Sequence, residues 1–251
     1  MNACSRTIFF MSMATVLLGT AVVLHLINHE VFHHNAAYAQ DTTTVLADTE
    51  ALIVIVNIER IRTQLELTEK SLNTDDLEMA FAHAFIPHTT TFPAIKSQLR
   101  AIDEQPATQL EAMLTDLPIK IRTAGKDSEG EARDDIKQIQ TLLDKISQKA
   151  IGSQLMSDKG MVSKTVVFLL RDAAQSYQVS NAAAGGQEQF SQVDYENAIS
   201  ITARAESTYQ IIAPEIDKRR RGEIDSFIAE LLTAFDQKSD IMNQYRVWLL
   251  R

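Results

Sequence analysis

Apolar residues recur at spacings of three and four along most of the chain after residue 50, which is the period of an α-helix with one buried face. The first of these stripes starts at Val54 and ends at Leu72, with the polar residue Thr68 at the one step where an apolar residue is missing. Asp48 is the predicted N-cap of this helix, because its carboxylate can accept a bond from a free backbone N–H. The stripe consists of Val54, Ile58, Ile61, Leu65 and Leu72.

The second helix is predicted to begin at Asp75, because Glu78 follows three residues later as in a capping box. Its stripe passes through Pro87, which lacks a backbone N–H and crowds the preceding turn, so we expect a kink or break between Ile86 and Thr91. The stripe consists of Phe81, Phe85, His88, Phe92, Ile95, Leu99 and Ile102. His83 lies about 200° around the helix from Phe81 and should therefore point away from the core.

Further stripes predict helices in the remainder of the chain. Pro106 is suited to a first helical position, Pro118 predicts a kink, and a capping box starts at Ser128. Ser191 with Asp194 is predicted to restart the chain after a glycine-containing loop. The buried positions expected in these helices are Leu110, Leu114, Leu117, Ile121, Ala132, Ile136, Ile139, Leu143, Ile146, Ala150, Val162, Val166, Leu169, Ala173, Tyr177, Tyr195, Ala198, Thr202, Ala205, Tyr209, Ile212, Ile224, Ile228, Leu231, Phe235 and Met242.

The pattern as a whole predicts an all-α fold. Eight glycines and five prolines in 251 residues are too few for the turns of a sandwich or barrel. Short connections favour an up-and-down antiparallel helical bundle, either as one bundle or as two packed sub-bundles. We place a boundary in the polar stretch after residue 152, which gives an N-terminal bundle at 40–152 and a C-terminal helical subdomain at 153–251.

Residues 1–39 differ from the rest of the chain and are predicted to be a signal peptide or a membrane anchor. Ile8 to Ile27 contains no charged side chain, and Ala37-Tyr38-Ala39 has the small-x-small form of a cleavage site. Twenty apolar residues are also long enough to cross a bilayer. The mature protein is therefore expected to be extracytoplasmic, either secreted or anchored to the outer face of the cytoplasmic membrane.

Charge and missing motifs narrow the possible functions. The formal net charge of -9 repels phosphate backbones, so nucleic acid is not an expected partner. The only cysteine, Cys4, lies in the leader and leaves the mature chain without disulfides or thiolate ligands. The sequence has no phosphate-binding glycine loop, nucleophile elbow or His-Glu-x-x-His, which favours a non-catalytic protein.

Two histidines, His83 and His88, remain after the leader and are the candidate metal ligands. A break at Pro87 would allow both to approach one iron, copper or zinc ion, with Glu78 or Asp76 completing the site. The competing interpretation of His88 is a hydrogen-bonded core imidazole. Glu66 and Glu69 also have the spacing of carboxylate-bridged metal bundles, which is common on exposed helix faces as well.

One family resemblance rests on two segments. Asn57 to Leu114 contains Ala82-His83-Ala84 followed by Ile86-Pro87-His88, and Leu170 to Ala205 contains Asp194-Tyr195-Glu196-x-Ala198. Together they resemble the extracytoplasmic helical domains that accompany the high-affinity iron permease family. The Arg-Glu-x-x-Glu motif and the membrane helices of the permease are missing, so the resemblance implies a soluble or accessory partner of a membrane metal permease.

These observations lead to one main functional hypothesis and an alternative. The first is an exported, non-catalytic helical-bundle protein, accessory to iron or other metal uptake through partner docking or cation collection. The alternative is a membrane-anchored sensory or adhesive helical-bundle ectodomain. A carboxylate-bridged metal enzyme is the third hypothesis. The oligomeric state is left open.

Overall fold

The computed structural model describes residues 42–123, 129–156, 158–182 and 191–226, together with 228, 229, 231–233 and 235. This part of the chain is almost entirely helical and contains no strand, which confirms the all-α class. Its α-helices are α1 (Thr42–Asn73), α2 (Leu77–Ile86), α3 (Phe92–Ile102), α4 (Glu104–Thr123), α5 (Glu129–Met156), α6 (Lys159–Ala182) and α7 (Gln192–Tyr209). A π-helical turn (Pro87–Thr91) joins α2 to α3, a 3₁₀ turn (Ala213–Glu215) follows α7, and 218–226 is helical again.

Helix α1 is the element shared by both halves of the protein. It packs against α2, α3 and α5 and also against α6 and α7. The predicted stripe is confirmed, since Val54, Ile58, Ile61, Leu65 and Leu72 all lie in the apolar core that α1 forms with α2 to α5. The predicted stripe of α4 and that of α5 from Ala132 to Ile146 are buried in the same core, whereas the burial of Ala150 lies outside what the structure describes.

A second core lies between α6, α7 and the helical residues after 217. Val162, Leu169, Ala205 and Ile224 belong to it, as the sequence predicts. An aromatic cluster of Tyr177, Tyr195 and Phe235 adjoins this core. The second half therefore has apolar packing of its own in addition to its contact with α1.

The predicted buried face of α2 is wrong. Phe85 is 45% exposed, and Ala80, Ala84 and Pro87 are buried instead, each one position before the corresponding step of the predicted stripe; His83 is buried as well. The π-helical turn explains the difference, because it inserts one extra residue into the helix. The backbone N–H of Phe92 bonds to the carbonyl oxygen of Pro87, and the predicted face holds again from Phe92 onward.

Several predicted helix ends also need correction. Asp48 lies inside α1 and is not its cap, because the helix already begins at Thr42. The N-cap of α2 is Asp76, whose side chain accepts from the Met79 N–H, whereas Asp75 takes the left-handed conformation with φ 57°. Pro106 is the third residue of α4.

The remaining predictions about ends and kinks have mixed outcomes. The Ser191 cap of α7 is confirmed by a bond from the Asp194 N–H. Helix α4 continues through Pro118 to Thr123, and α5 continues through Gly152 to Met156. The leader, Ser128 and Met242 lie outside the described residues. No helix among those described has both the length and the apolar character needed to cross a membrane.

Candidate functional site

The contact between α1 and the second half contains an apolar cluster of Leu52, Val56 and Met161 and a set of polar groups. Arg60 of α1 donates from Nε to Oδ2 of Asp172 on α6 at 2.6 Å, and its Nη2 lies 2.5 Å from the same oxygen. Arg60 Nη1 donates to Oδ1 of Asn57 at 3.0 Å. Burial raises the pKa of Asp172, while Arg60 acts in the opposite direction. All three Arg60 nitrogens are thus engaged within the protein.

His83 lies in the interior and is fully buried. The expectation that it points away from the core is therefore wrong, because the register shift at the π-helical turn rotates it inward. Its Nδ1 lies 3.0 Å from Oε1 of Gln64 on α1. Gln64 Nε2 donates to Oδ1 of Asn197 at 2.6 Å, and Asn197 Nδ2 donates to Oγ of Ser176 at 2.9 Å. These four side chains form one hydrogen-bonded chain across α2, α1, α7 and α6.

The other ring nitrogen of His83 faces a carboxylate. His83 Nε2 lies 3.6 Å from Oε2 of Glu196 on α7, and Gln192 Nε2 donates to Oε1 of the same carboxylate at 2.8 Å. The contact with His83 lowers the pKa of Glu196, in opposition to the effect of burial, and Lys70 adds to the lowering. Glu196 is therefore held as a carboxylate against the histidine ring.

A cleft of about 440 Å³ opens at the polar contact that Arg60 and Gln64 of α1 make with the second half. It is bounded by α1, the π-helical turn, α6 and α7. Its polar lining includes Asn57, Arg60, Gln64, Thr90, Thr91, Asp172, Gln175, Ser176, Asp194 and Asn197. Its apolar lining consists of Ile86, Ala94, Val179 and Ile201. Apolar lining surface combined with several polar groups is typical of a site for a small molecule.

The charges in the cleft do not balance. Arg60 and Asp172 neutralise each other, whereas Asp194 lies in the first turn of α7 and has no cationic side chain at ion-pair distance in the part of the chain that the structure describes. The backbone N–H of Asp194 donates to the hydroxyl of Ser191, and this bond does not involve the Asp194 carboxylate. Among the described residues of the cleft lining, Asp194 is therefore the charged side chain without an ion-pair partner.

The candidate metal ligands are placed apart from one another. His88 is half-buried, and its Nδ1 lies 3.2 Å from the hydroxyl of Thr115 on α4. Glu78 is exposed in the first turn of α2. His83, His88 and Glu78 thus have different neighbours, and no group of three His, Cys, Asp or Glu residues in the described segments could hold a metal ion.

A smaller cavity of about 260 Å³ lies beside Glu59, between α1 and the second half. The carboxylate of Glu59 lies 3.7 Å from Arg62 Nε and 3.6 Å from Arg204 Nε. Burial raises the pKa of Glu59, and the two guanidinium groups oppose this. Arg62 also pairs with Asp144 and Arg204 with Glu66, so one member of the Glu66/Glu69 pair is used in an interhelical ion pair. These groups connect α1 to α5 and α7.

The residues of the cleft were missed by sequence reasoning, which followed the apolar stripes. One signal was present in α1, where Asn57, Arg60, Gln64 and Ser71 form a second, polar row at helical spacing beside the apolar row. Asp172, Ser176 and Asp194 carry no such signal, because their proximity depends on how α6 and α7 pack against α1.

Comparison with known proteins gave no match to a family model, to a curated protein or to a solved structure. The resemblance to domains associated with iron permeases therefore stays a prediction from the residues that carry it.

Proposed function

We propose that this protein is a non-catalytic helical-bundle binding protein that holds a small polar ligand in the cleft between α1, the π-helical turn, α6 and α7. The observation that carries the proposal is the cleft itself, with its buried polar floor and its uncompensated Asp194. This proposal develops the alternative hypothesis of a sensory ectodomain, because a sensory domain binds a ligand. The up-and-down arrangement with antiparallel neighbours is part of the same proposal and is supported by the short connections between the helices.

The charge of the cleft indicates the class of ligand. The charge of Arg60 is paired with Asp172, and its third nitrogen donates to Asn57, which leaves it less suited to an anionic ligand than an unpaired arginine would be. The Asp194 carboxylate would attract a cation, and a bond between two charged groups is about twice as strong as one between neutral groups. Hydroxyls of Thr91 and Ser176 line the same space and suit a second, neutral polar group. The ligand we propose therefore carries a primary ammonium group and an uncharged polar group.

The surroundings of the two histidines support a non-catalytic role. The Thr115 hydroxyl donates to the carbonyl oxygen of Glu111 at 2.8 Å, so it accepts a bond from His88 and is not activated by it. His83 contacts an amide and a carboxylate, neither of which is a nucleophile that a histidine activates in hydrolases.

The link to metal uptake stays a prediction. Cation collection through His83, His88 and Glu78 receives no support from their positions, since the three side chains have different neighbours. Docking to a membrane metal permease rests on the resemblance alone, and export rests on the leader. Titration of the purified protein with iron, copper and zinc ions, repeated on His83→Ala with His88→Ala, tests the metal part of this hypothesis. Stoichiometric binding of a metal ion that disappears in the double variant would support the hypothesis of cation collection.

Asp194→Asn tests the cleft, because it removes the uncompensated charge while keeping the size of the side chain. The probes are ethanolamine, 4-aminobutan-1-ol and putrescine, which place an ammonium group and a second polar group at different separations. We expect isothermal titration calorimetry to detect binding of at least one probe to the natural protein. The Asp194→Asn variant should lose about tenfold or more in affinity, as expected when one charged contact of about 1.5–3 kcal/mol is removed.

Two further variants serve as controls. Glu206→Gln removes a carboxylate from the same helix outside the cleft and should leave affinity unchanged. Ala94→Trp adds a bulky side chain at an exposed position of the cleft wall and should block binding without disturbing the core. Failure of every probe to bind the natural protein, or equal affinity of the natural protein and the Asp194→Asn variant, would contradict the proposal.

A further inference from the structure

The cavity beside Glu59, of about 260 Å³, combines an apolar wall with three charged side chains. Its lining shares no residue with that of the cleft. The apolar wall consists of Ile55 of α1, Met161 and Val162 of α6 and Ile211, which follows α7. Apolar cavities of about 150 Å³ are large enough to bind benzene. The space beside Glu59 can therefore hold the apolar body of a small molecule.

Two donors in this cavity are buried without a hydrogen bond. Nε of Arg62 and Nε of Arg204 have no acceptor among the described residues, although both arginines line the cavity. The carboxylate of Glu59 lies 3.7 Å from Arg62 Nε and 3.6 Å from Arg204 Nε, and both distances are too long for an N–H···O bond. The cavity thus presents two unused N–H donors beside one carboxylate.

The hydroxyl groups of the lining do not supply a proton for that carboxylate. Thr165 Oγ1 donates to the carbonyl oxygen of Met161 at 2.9 Å. Ser207 Oγ and Thr208 Oγ1 donate to the carbonyl oxygen of Arg204 at 2.9 Å and 2.8 Å. Each hydroxyl proton is therefore already used in a bond to a helix backbone.

The charges around the cavity favour an uncharged ligand. Glu59 lies between the two arginines, and the outer nitrogens of Arg62 and Arg204 pair with Asp144 and Glu66. These five side chains comprise three acidic and two basic groups. A ligand carboxylate would add to the excess of negative charge, whereas an ammonium group would have to lie beside two guanidinium groups.

A single hydroxyl group matches the unused groups in number and kind. It has two lone pairs for the two N–H donors and one proton for the carboxylate of Glu59. The thioether of Met161 also favours an aromatic ring as the apolar body. We propose that this cavity is a second binding site, which takes an uncharged apolar molecule with one hydroxyl group. This inference does not rest on the ligand proposed for the cleft.

Isothermal titration calorimetry with benzyl alcohol tests this inference. Toluene has the same ring without the hydroxyl, and benzoate replaces the hydroxyl with a charged group. We expect benzyl alcohol to bind the natural protein at one site per chain, and about tenfold or more tightly than either comparison compound. Absence of benzyl alcohol binding, or equal or tighter binding of toluene or benzoate, would overturn the inference.

Variants locate the site. Arg204→Lys keeps the positive charge but places a methylene group at the position of Nε, so it should weaken benzyl alcohol binding by about tenfold. Arg219→Lys is the matched control at an arginine that is 89% exposed and lies outside the cavity, and it should leave the affinity unchanged. Equal affinity of the natural and Arg204→Lys proteins would contradict the proposed role of Nε.

A second pair of variants separates the cavity from the cleft. Ile211→Trp enlarges a side chain that is 54% exposed at the cavity, so it should block benzyl alcohol without disturbing the core. Asp194→Asn changes the cleft and should leave benzyl alcohol binding unchanged. Loss of benzyl alcohol binding in Asp194→Asn together with full binding in Ile211→Trp would place the probe in the cleft and overturn this inference, while the proposed function would stand.

Discussion

Gln64 makes one of the polar contacts between the two halves. It is 3% exposed and bonds at the same time to His83 of α2 and Asn197 of α7. Its burial was not predictable, because a glutamine in an exposed-looking row of α1 becomes buried only when a second layer of helices packs on that row. The predicted orientation of His83 is wrong for a related reason. The π-helical turn adds one residue to the helix, and the spacing of the apolar residues does not reveal this addition.

Gln64→Leu keeps the approximate volume of the side chain and removes both of its bonds. We expect the free energy of unfolding to fall by about 1–3 kcal/mol, because the buried His83 and the half-buried Asn197 each lose a partner. Urea denaturation followed by circular dichroism measures the change. Gln175→Leu alters an exposed glutamine of the cleft lining and should shift stability by no more than about 0.5 kcal/mol. Equal effects of the two substitutions would show that the buried chain contributes nothing to stability.

The helices themselves were largely predictable. The stripes of α1, α4, α6 and α7 are buried as expected, because each is amphipathic along its whole length and no insertion interrupts its period. Helix ends were less predictable, since Asp75 and Asp76 are adjacent acidic residues and either could cap α2. The left-handed conformation of Asp75 ends the preceding turn and leaves Asp76 to bond to Met79.

Asp76→Ala tests this assignment of the α2 cap. Loss of the bond to the Met79 N–H should reduce the free energy of unfolding by about 1 kcal/mol. Asp134→Ala is the matched control, because Asp134 is an exposed aspartate inside α5 that contacts only the exposed Lys137 among the described residues. Its effect should stay within about 0.5 kcal/mol. Thermal or urea unfolding of both variants decides whether Asp76 acts as a cap.

At the scale of the whole molecule, α1 belongs to both halves. Its apolar row lies in the first core, and its polar row contacts α6 and α7. The boundary predicted at residue 152 rests on a polar stretch of sequence. Such a stretch gives no information on whether a helix of one half also packs against the other half. The position of the cleft follows from this arrangement, because the polar row of α1 provides its floor.

This sharing of α1 predicts that the two halves unfold together. Residues 42–156 contain no Tyr or Trp, whereas Tyr177, Tyr195, Tyr209, Tyr245 and Trp248 lie in the second half and Tyr38 lies in the leader. Intrinsic fluorescence of a Tyr38→Phe variant therefore follows the second half, while far-ultraviolet circular dichroism follows all the helices. We expect the two signals to change at the same urea concentration, as in a single cooperative transition. Two separate midpoints would show instead that 40–152 and 153–251 are independent domains.

The most direct test of the binding function is a crystal structure of the protein with 4-aminobutan-1-ol at saturating concentration. We expect the probe in the cleft, with its ammonium nitrogen about 3 Å from the Asp194 carboxylate and its hydroxyl beside Ser176. A cleft that stays empty under these conditions, or a probe bound only elsewhere on the protein, would contradict the account.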